Sequence, residues 1–158
     1  MEQPLVPTEP KGPPLPKWSY AIMNPLMMAA LRSPLHGALS DNLMILIFDG
    51  RKSGQRYTIP VGYLEEAGKL YLFSHAAWGA NFIGGAPVGM RLRGKLRRGI
   101  ARVIESDATI SRILRLMVEK RGEGMAEQMG FISRNPDGSM QLGRPRNTRF
   151  IEITLDPD

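Results

Sequence analysis

The chain has 158 residues, is 42% hydrophobic, carries a formal charge of +6, and contains two histidines and no cysteine. That length supports a domain with its own core, and the apolar content argues against wholesale disorder. Disulfides, iron–sulfur clusters and thiolate zinc sites are excluded, and His36 and His75 alone do not suggest a metal centre. The positive balance points to an anionic partner: a phosphorylated cofactor, a nucleic acid or an anionic lipid. No basic-then-apolar leader opens the sequence, and no apolar run approaches the roughly 18 residues of a membrane span. A cytoplasmic protein is the default expectation.

Residues 1–17 hold Pro4, Pro7, Pro10, Pro13, Pro14 and Pro16 without periodicity, which reads as a disordered, proline-rich arm. Residues 18–158 read as a single domain that begins with a helix. That helix, 18–31, is free of charge and contains Pro25, which is expected to kink or restart it. It suits docking on the domain or at a dimer interface; a lid or a peripheral contact with the inner face of the membrane are the other options. Residues 43–48 are apolar on both faces and predict a central strand. Residues 56–64 alternate, with Pro60 breaking the pairing or leaving it one-sided. A third strand is expected at 69–74, then a loop with a short helix to Gly85. A strongly basic hairpin follows, 88–93 and 95–104 around Gly94. The clearest helix is 107–121, with Ile110, Ile113, Leu114, Met117 and Val118 on one face. A short helical piece near 124–131, a turn at 135–139 and a last strand at 148–155 complete the chain. The pattern is mainly β with added helices (α+β) and suggests an antiparallel barrel with helices packed around it.

The most chemically loaded stretch joins the first two strands. In GRKSGQR, Gly50 to Arg56, two glycines flank Arg51, Lys52 and Ser53, and Arg56 follows. Glycines there permit positive φ and close backbone approach. Three cations, one hydroxyl and free backbone N–H groups suit a phosphate or carboxylate. A solvated hairpin tip is the plainer reading of such a short motif. Elsewhere the catalytic signatures are missing: no dinucleotide or Walker loop, no nucleophile elbow, no cysteine nucleophile and no carboxylate pair. An enzyme built this way leaves the hard chemistry to a cofactor. The basic hairpin has no interleaved aromatic residue, so a nucleic-acid platform is not expected.

Three segments in this order, GRKSGQRYTIPVGY (Gly50 to Tyr63), SHAAWGANF (Ser74 to Phe82) and APV (Ala86 to Val88), resemble the deazaflavin-dependent nitroreductase and quinone reductase family of split-barrel oxidoreductases. The resemblance implies a six-stranded antiparallel split β-barrel, FMN-binding-like, that holds coenzyme F420, with FMN as the alternative. It implies that Arg51, Lys52, Ser53 and Arg56, with Gly54 in the same loop, hold the phosphate and acidic tail. It places the backbone around Ile59, Pro60 and Val61 along the deazaflavin ring, and Ser74, His75, Trp78 and Asn81 across the groove. The chain departs from the family's His-Pro-x-Trp-Tyr run with His-Ala-Ala-Trp-Gly, so no substrate residue is carried over.

The expected function is therefore hydride transfer from reduced F420 to a small electron-poor acceptor such as a quinone or nitroaromatic, with Tyr63, Ser74, His75 or solvent as proton donor. The alternative is a non-catalytic split-barrel protein that binds a flavin, a tetrapyrrole or a fatty-acid-like ligand. A monomer and a homodimer are both compatible with the sequence, and no catalytic residue is assigned.

Overall fold

The computed structural model describes residues 4–9, 17–38, 40–74, 77–146 and 148–157. In chain order the elements are β1 (Val6–Thr8), α1 (Lys17–Arg32), a 3₁₀ turn (Pro34–Ala38), β2 (Leu43–Asp49), β3 (Arg56–Gly62), β4 (Leu64–Glu66) and β5 (Lys69–Ser74). A second 3₁₀ turn (Ala77–Phe82), β6 (Ala86–Leu92), β7 (Lys95–Val103), α2 (Asp107–Arg121) and α3 (Glu123–Gln128) follow. The chain ends in β8 (Ile132–Arg134), β9 (Met140–Pro145) and β10 (Arg149–Leu155). The chain divides into two compact units. One takes in the described residues of 1–14 with 104–150, the other those of 15–103 with 151–158.

The second unit carries the main sheet, whose strand order is β3-β2-β6-β7-β10-β5-β4. β3 and β4 stand at opposite ends of that order, yet only Tyr63 separates them in the chain. The strand bends there. Its first half pairs with β2 and its second half with β5, so the order returns to the strand it began with. Counted this way there are six strand paths, the antiparallel split barrel expected from the sequence. β2 faces the barrel core through Met44, Leu46 and Phe48 and has α1 packed against it, which accounts for its apolar run. Pro60 sits opposite Ile45 on β3, whose one ladder partner there is β2. The missing N–H therefore breaks no second ladder.

Strand alternation sends Met44, Leu46 and Phe48 of β2 to the interior, with Val88, Met90 and Leu92 of β6 and Ile151 and Ile153 of β10. Each such side chain contributes about 1.5–3 kcal/mol on burial. Gly99 of β7 allows a close approach: a Cβ there would run into the Thr154 carbonyl oxygen of β10. α1 packs on β2 and β3. It is one assigned helix despite Pro25, whose side chain is exposed. No helix among the described residues is long and apolar enough to cross a membrane.

In the first unit, α2 occupies the span expected from its periodicity. Ser106 Oγ accepts from the Thr109 N–H at its start, and Gly122 ends it at φ 90°. Ile110, Ile113, Leu114 and Met117 are buried. Strands β8 and β9, which the sequence reading did not separate from the turn at 135–139, form an antiparallel hairpin around it. β1 then pairs in parallel with β9 over Gly143–Pro145. Within the arm read as disordered, Val6–Thr8 is thus a strand, and Thr8 Oγ1 donates to the Gly130 carbonyl. Residues 10–16 lie outside the described residues.

Candidate functional site

The cationic loop is built on the end of the β2–β3 hairpin. Asp49 and Arg56 form the last ladder pair, and Arg56 Nε donates to Asp49 Oδ1 at 3.0 Å across it. Above that neck, the Gly50 N–H donates to the Gln55 carbonyl at 2.7 Å and the Gly54 N–H to the Gly50 carbonyl at 2.8 Å. Ser53 Oγ accepts from the Gln55 N–H at 3.2 Å. Of the two glycines expected at positive φ, Gly54 has it, at 69°, and Gly50 does not. Space favours glycine at Gly50 instead: a Cβ would lie 2.8 Å from Ser53 Oγ and 3.0 Å from the Tyr57 ring, so one of those side chains would have to shift.

Facing this loop is the 3₁₀ turn Ala77–Phe82. Asn81 joins the two. Its Oδ1 accepts from the Arg51 backbone N–H at 2.8 Å, and its Nδ2 donates to the Trp78 carbonyl at 2.7 Å. The Arg51 guanidinium makes one long bond, 3.4 Å, to the Ala80 carbonyl. Lys52 has no hydrogen bond or ion pair among the described residues. Loop and turn enclose a cleft of about 480 Å³, lined by Gly50, Arg51, Lys52, Ser53 and Tyr57 on one side and Ala77, Trp78, Ala80 and Asn81 on the other.

The floor of this region is aromatic. Phe48 is buried and stacks on Tyr57 at 5.5 Å and 25° between planes. It lies 6.0 Å from Trp78 and meets Phe82 edge-on at 5.1 Å. Alternation explains the arrangement, since Phe48 and Tyr57 are ladder partners and share a face. Tyr57 remains 38% exposed, so its ring is available to a ligand. Sequence reading missed it as a site residue because it counted only as one of the alternating strand residues; its adjacency to the loop was the available signal.

The twelve residues proposed from the sequence separate in space. Arg51, Lys52, Ser53, Trp78 and Asn81 come together in the cleft, with Gly54 in the loop beside them. Arg56 points into a different, larger groove of about 990 Å³ along β2, β6 and β7, together with Asp49. The hydrogen bond and charge of Arg56 hold the Asp49 carboxyl below its ordinary range, and Asp49 in turn raises Arg56. This cation is already matched. Ile59 packs against the barrel core, Val61 is part of it, and Ser74 is buried; with Pro60 they line neither cavity. His75 lies outside the described residues. Tyr63, named as a proton donor, is buried with its hydroxyl donating to the Ser40 carbonyl. Among the described residues no cluster of histidine or carboxylate side chains is arranged to hold a metal.

The smaller cleft is the better candidate despite its size. It joins two chemically distinct segments thirty residues apart through side-chain hydrogen bonds and offers an unmatched lysine beside an exposed aromatic ring. Such a set can bind an anionic group at one end and a flat ring at the other.

No family model matches the chain, and no curated protein is similar to it in sequence at a significant level. Solved structures are similar in fold. One described as a domain-swapped dimer is similar with a TM-score of 0.52 at 17% identity, over 88% of this chain and 97% of that one. The heme storage protein HutZ from Vibrio cholerae gives 0.51 at 12% identity, over 75% and 84%. An F420-H2 dependent reductase, FDR-A, gives 0.49 at 18%, over 71% and 93%. The two likenesses above 0.5 concern the fold alone. That fold is mostly β with a few helices, a curled antiparallel sheet of the FMN-binding split-barrel kind.

Proposed function

We propose that the cleft holds the anionic end of a deazaflavin cofactor of the F420 type and that the protein is an oxidoreductase acting on a small electron-poor acceptor. One observation carries the reading: Asn81 ties the backbone of Arg51 to the carbonyl of Trp78, so the two segments that resemble a cofactor site are joined in one cleft. The donor set fits the group. Lys52 and Arg51 supply charge, Ser53 a hydroxyl, and Gly50 keeps the space a side chain would fill. Tyr57 and Trp78 offer ring faces beside them.

When bound, the reduced deazaflavin supplies a hydride to the acceptor. The chain's own part is to bind and orient. Lys52 is free to neutralise a phosphate, Asn81 sets the distance between loop and turn, and the Phe48 ring backs the aromatic wall against bending inward. Arg56 contributes indirectly, by closing the loop's neck with Asp49.

A binding role without turnover, for a flavin or tetrapyrrole, is the second reading; the fold it shares with the heme storage protein HutZ supports it. Fluorescence titration of the purified chain with F420, and separately with FMN, tests both. Saturable F420 binding with acceptor-dependent oxidation of the reduced form is the expected result. A preference for FMN changes the cofactor. Binding without oxidation by any acceptor favours the second reading, and binding of neither overturns the cofactor assignment.

A further inference from the structure

We infer that the edge of β9 is a slot for extended peptide segments with an aliphatic–Pro–Thr sequence. The chain fills it with its own Val6–Thr8, and a matching segment of a partner protein enters when that strap is released. None of the residues involved lines the cofactor cleft, so the result does not depend on what that cleft binds.

Val6–Thr8 is held as a docked peptide is, by adding a strand to a sheet edge. It makes three register pairs, Val6 with Gly143, Pro7 with Arg144 and Thr8 with Pro145. The pairing is parallel, the weaker arrangement per residue. β8 pairs instead with Met140, Gln141 and Leu142, the first half of β9. The β8–β9 hairpin therefore keeps all its register pairs when β1 leaves. Release of the strap is a local opening, not unfolding.

Recognition converges on Thr8. Its hydroxyl donates to the Gly130 carbonyl, and its own carbonyl accepts from the Arg146 N–H at 3.1 Å. Its side chain lies over Gly143. A Cβ there would come within 2.9 Å of Thr8 Oγ1 and 2.8 Å of the Gly130 carbonyl oxygen, and would also run into the Thr8 methyl. Gly143 thus leaves the space, and Gly130 supplies the acceptor. Valine would lack the hydroxyl and serine the methyl, so threonine is the matched residue.

The proline before it fits as well. Alternate residues of a parallel strand turn their backbone groups to the same neighbour. Thr8 turns to β9, so Pro7 turns to the open side, where its missing N–H costs no ladder bond. Proline there also stops a further strand from adding. The slot selects a peptide because a lipid or a nucleic acid has no peptide backbone to continue the ladder.

The probe is a synthetic peptide of residues 4–9, Pro-Leu-Val-Pro-Thr-Glu with blocked ends, added to the full chain. The readout is the Arg146 amide in a nitrogen–proton NMR spectrum. Thr8→Asp sets a carboxylate against the Gly130 carbonyl and should release the strap, shifting that amide before any peptide is added. The peptide should then move it back saturably, with a Kd on the order of 1 mM. In the wild type the tethered strap competes, so the peptide should bind at least about tenfold more weakly. A peptide carrying Thr8→Ala should bind the released chain roughly tenfold more weakly, through loss of one hydrogen bond and a methyl contact. Thermal melting checks that Thr8→Asp folds, and Thr8→Ala in the full chain replaces it if it does not. An Arg146 amide unmoved by the substitution, no binding to the released chain at about 10 mM peptide, or equal binding of the Thr8→Ala peptide would each overturn the inference.

Discussion

Replacing Arg51 and Lys52 together by alanine separates binding from folding. Lys52 makes no bond within the described residues, and the Arg51 guanidinium makes one long bond of 3.4 Å. The backbone bonds that shape the loop, from Gly50 to Gln55 and from Gly54 to Gly50, use neither side chain. The cost to stability should therefore stay within about 0.5 kcal/mol, the ordinary range for a surface substitution. The effect on a bound phosphate is larger. Two charge-assisted hydrogen bonds are worth about 1.5–3 kcal/mol each, which sets an upper range beginning above a hundredfold in Kd. Both side chains are exposed, however, and exposed ion pairs contribute only about 0.2–1 kcal/mol each, a combined two- to thirtyfold. A cleft that partly covers the phosphate lies between these limits, so the expected loss is roughly ten- to hundredfold, smaller at high salt. Fluorescence titration with F420 measures it, alongside a thermal melt. A Kd within twofold of wild type refutes the loop assignment. An equal loss accompanied by a large fall in Tm would mean that the loop's role is structural.

Asn81→Ala removes two hydrogen bonds of about 0.5–1.5 kcal/mol each that join loop to turn; the same titration should show a five- to tenfold loss of affinity or more with the barrel still folded. Gly99→Ala forces a Cβ onto the Thr154 carbonyl oxygen and should cost about 1–3 kcal/mol, a fall of several degrees in Tm, with cofactor affinity unchanged in the folded fraction. Burial raises the Tyr63 pKa above its ordinary value of 10.0. The folded state thus disfavours the phenolate, so stability is full below that value and declines as pH rises through the folded pKa. Tyr63→Phe should flatten this alkaline slope in denaturant titrations, while lowering stability at neutral pH by about 1–2 kcal/mol through loss of the bond to the Ser40 carbonyl. An unchanged slope would show that another group titrates there.

Local patterns in the chain were enough for several elements. The period of Ile110, Ile113, Leu114 and Met117, bounded by Ser106 and Gly122, marks α2, because capping and helical spacing are short-range properties. The unbroken apolar run of β2 marks a central strand, because burial on both faces leaves no polar position. The loop's chemistry is legible too, as cations and glycines within six residues remain neighbours in any fold. β8, β9 and β1 were not legible. They are short, their stability comes from pairing with one another, and β1 finds its partner more than 130 residues away.

The sequence by itself determined the barrel's strands and the make-up of the cationic loop, since alternation and local composition need no distant partner. Only the tertiary structure decided which of those residues share a cleft. Arg56 is adjacent to the loop in sequence, but strand alternation turns it to the opposite face, where Asp49 matches it. Val61 and Ser74 carry the motif's spacing, yet they are buried in the barrel. Tyr57 has no place in the loop motif, but its ladder pairing with Phe48 brings it to the cleft wall. A side chain's direction depends on register, and register is set by partners far along the chain.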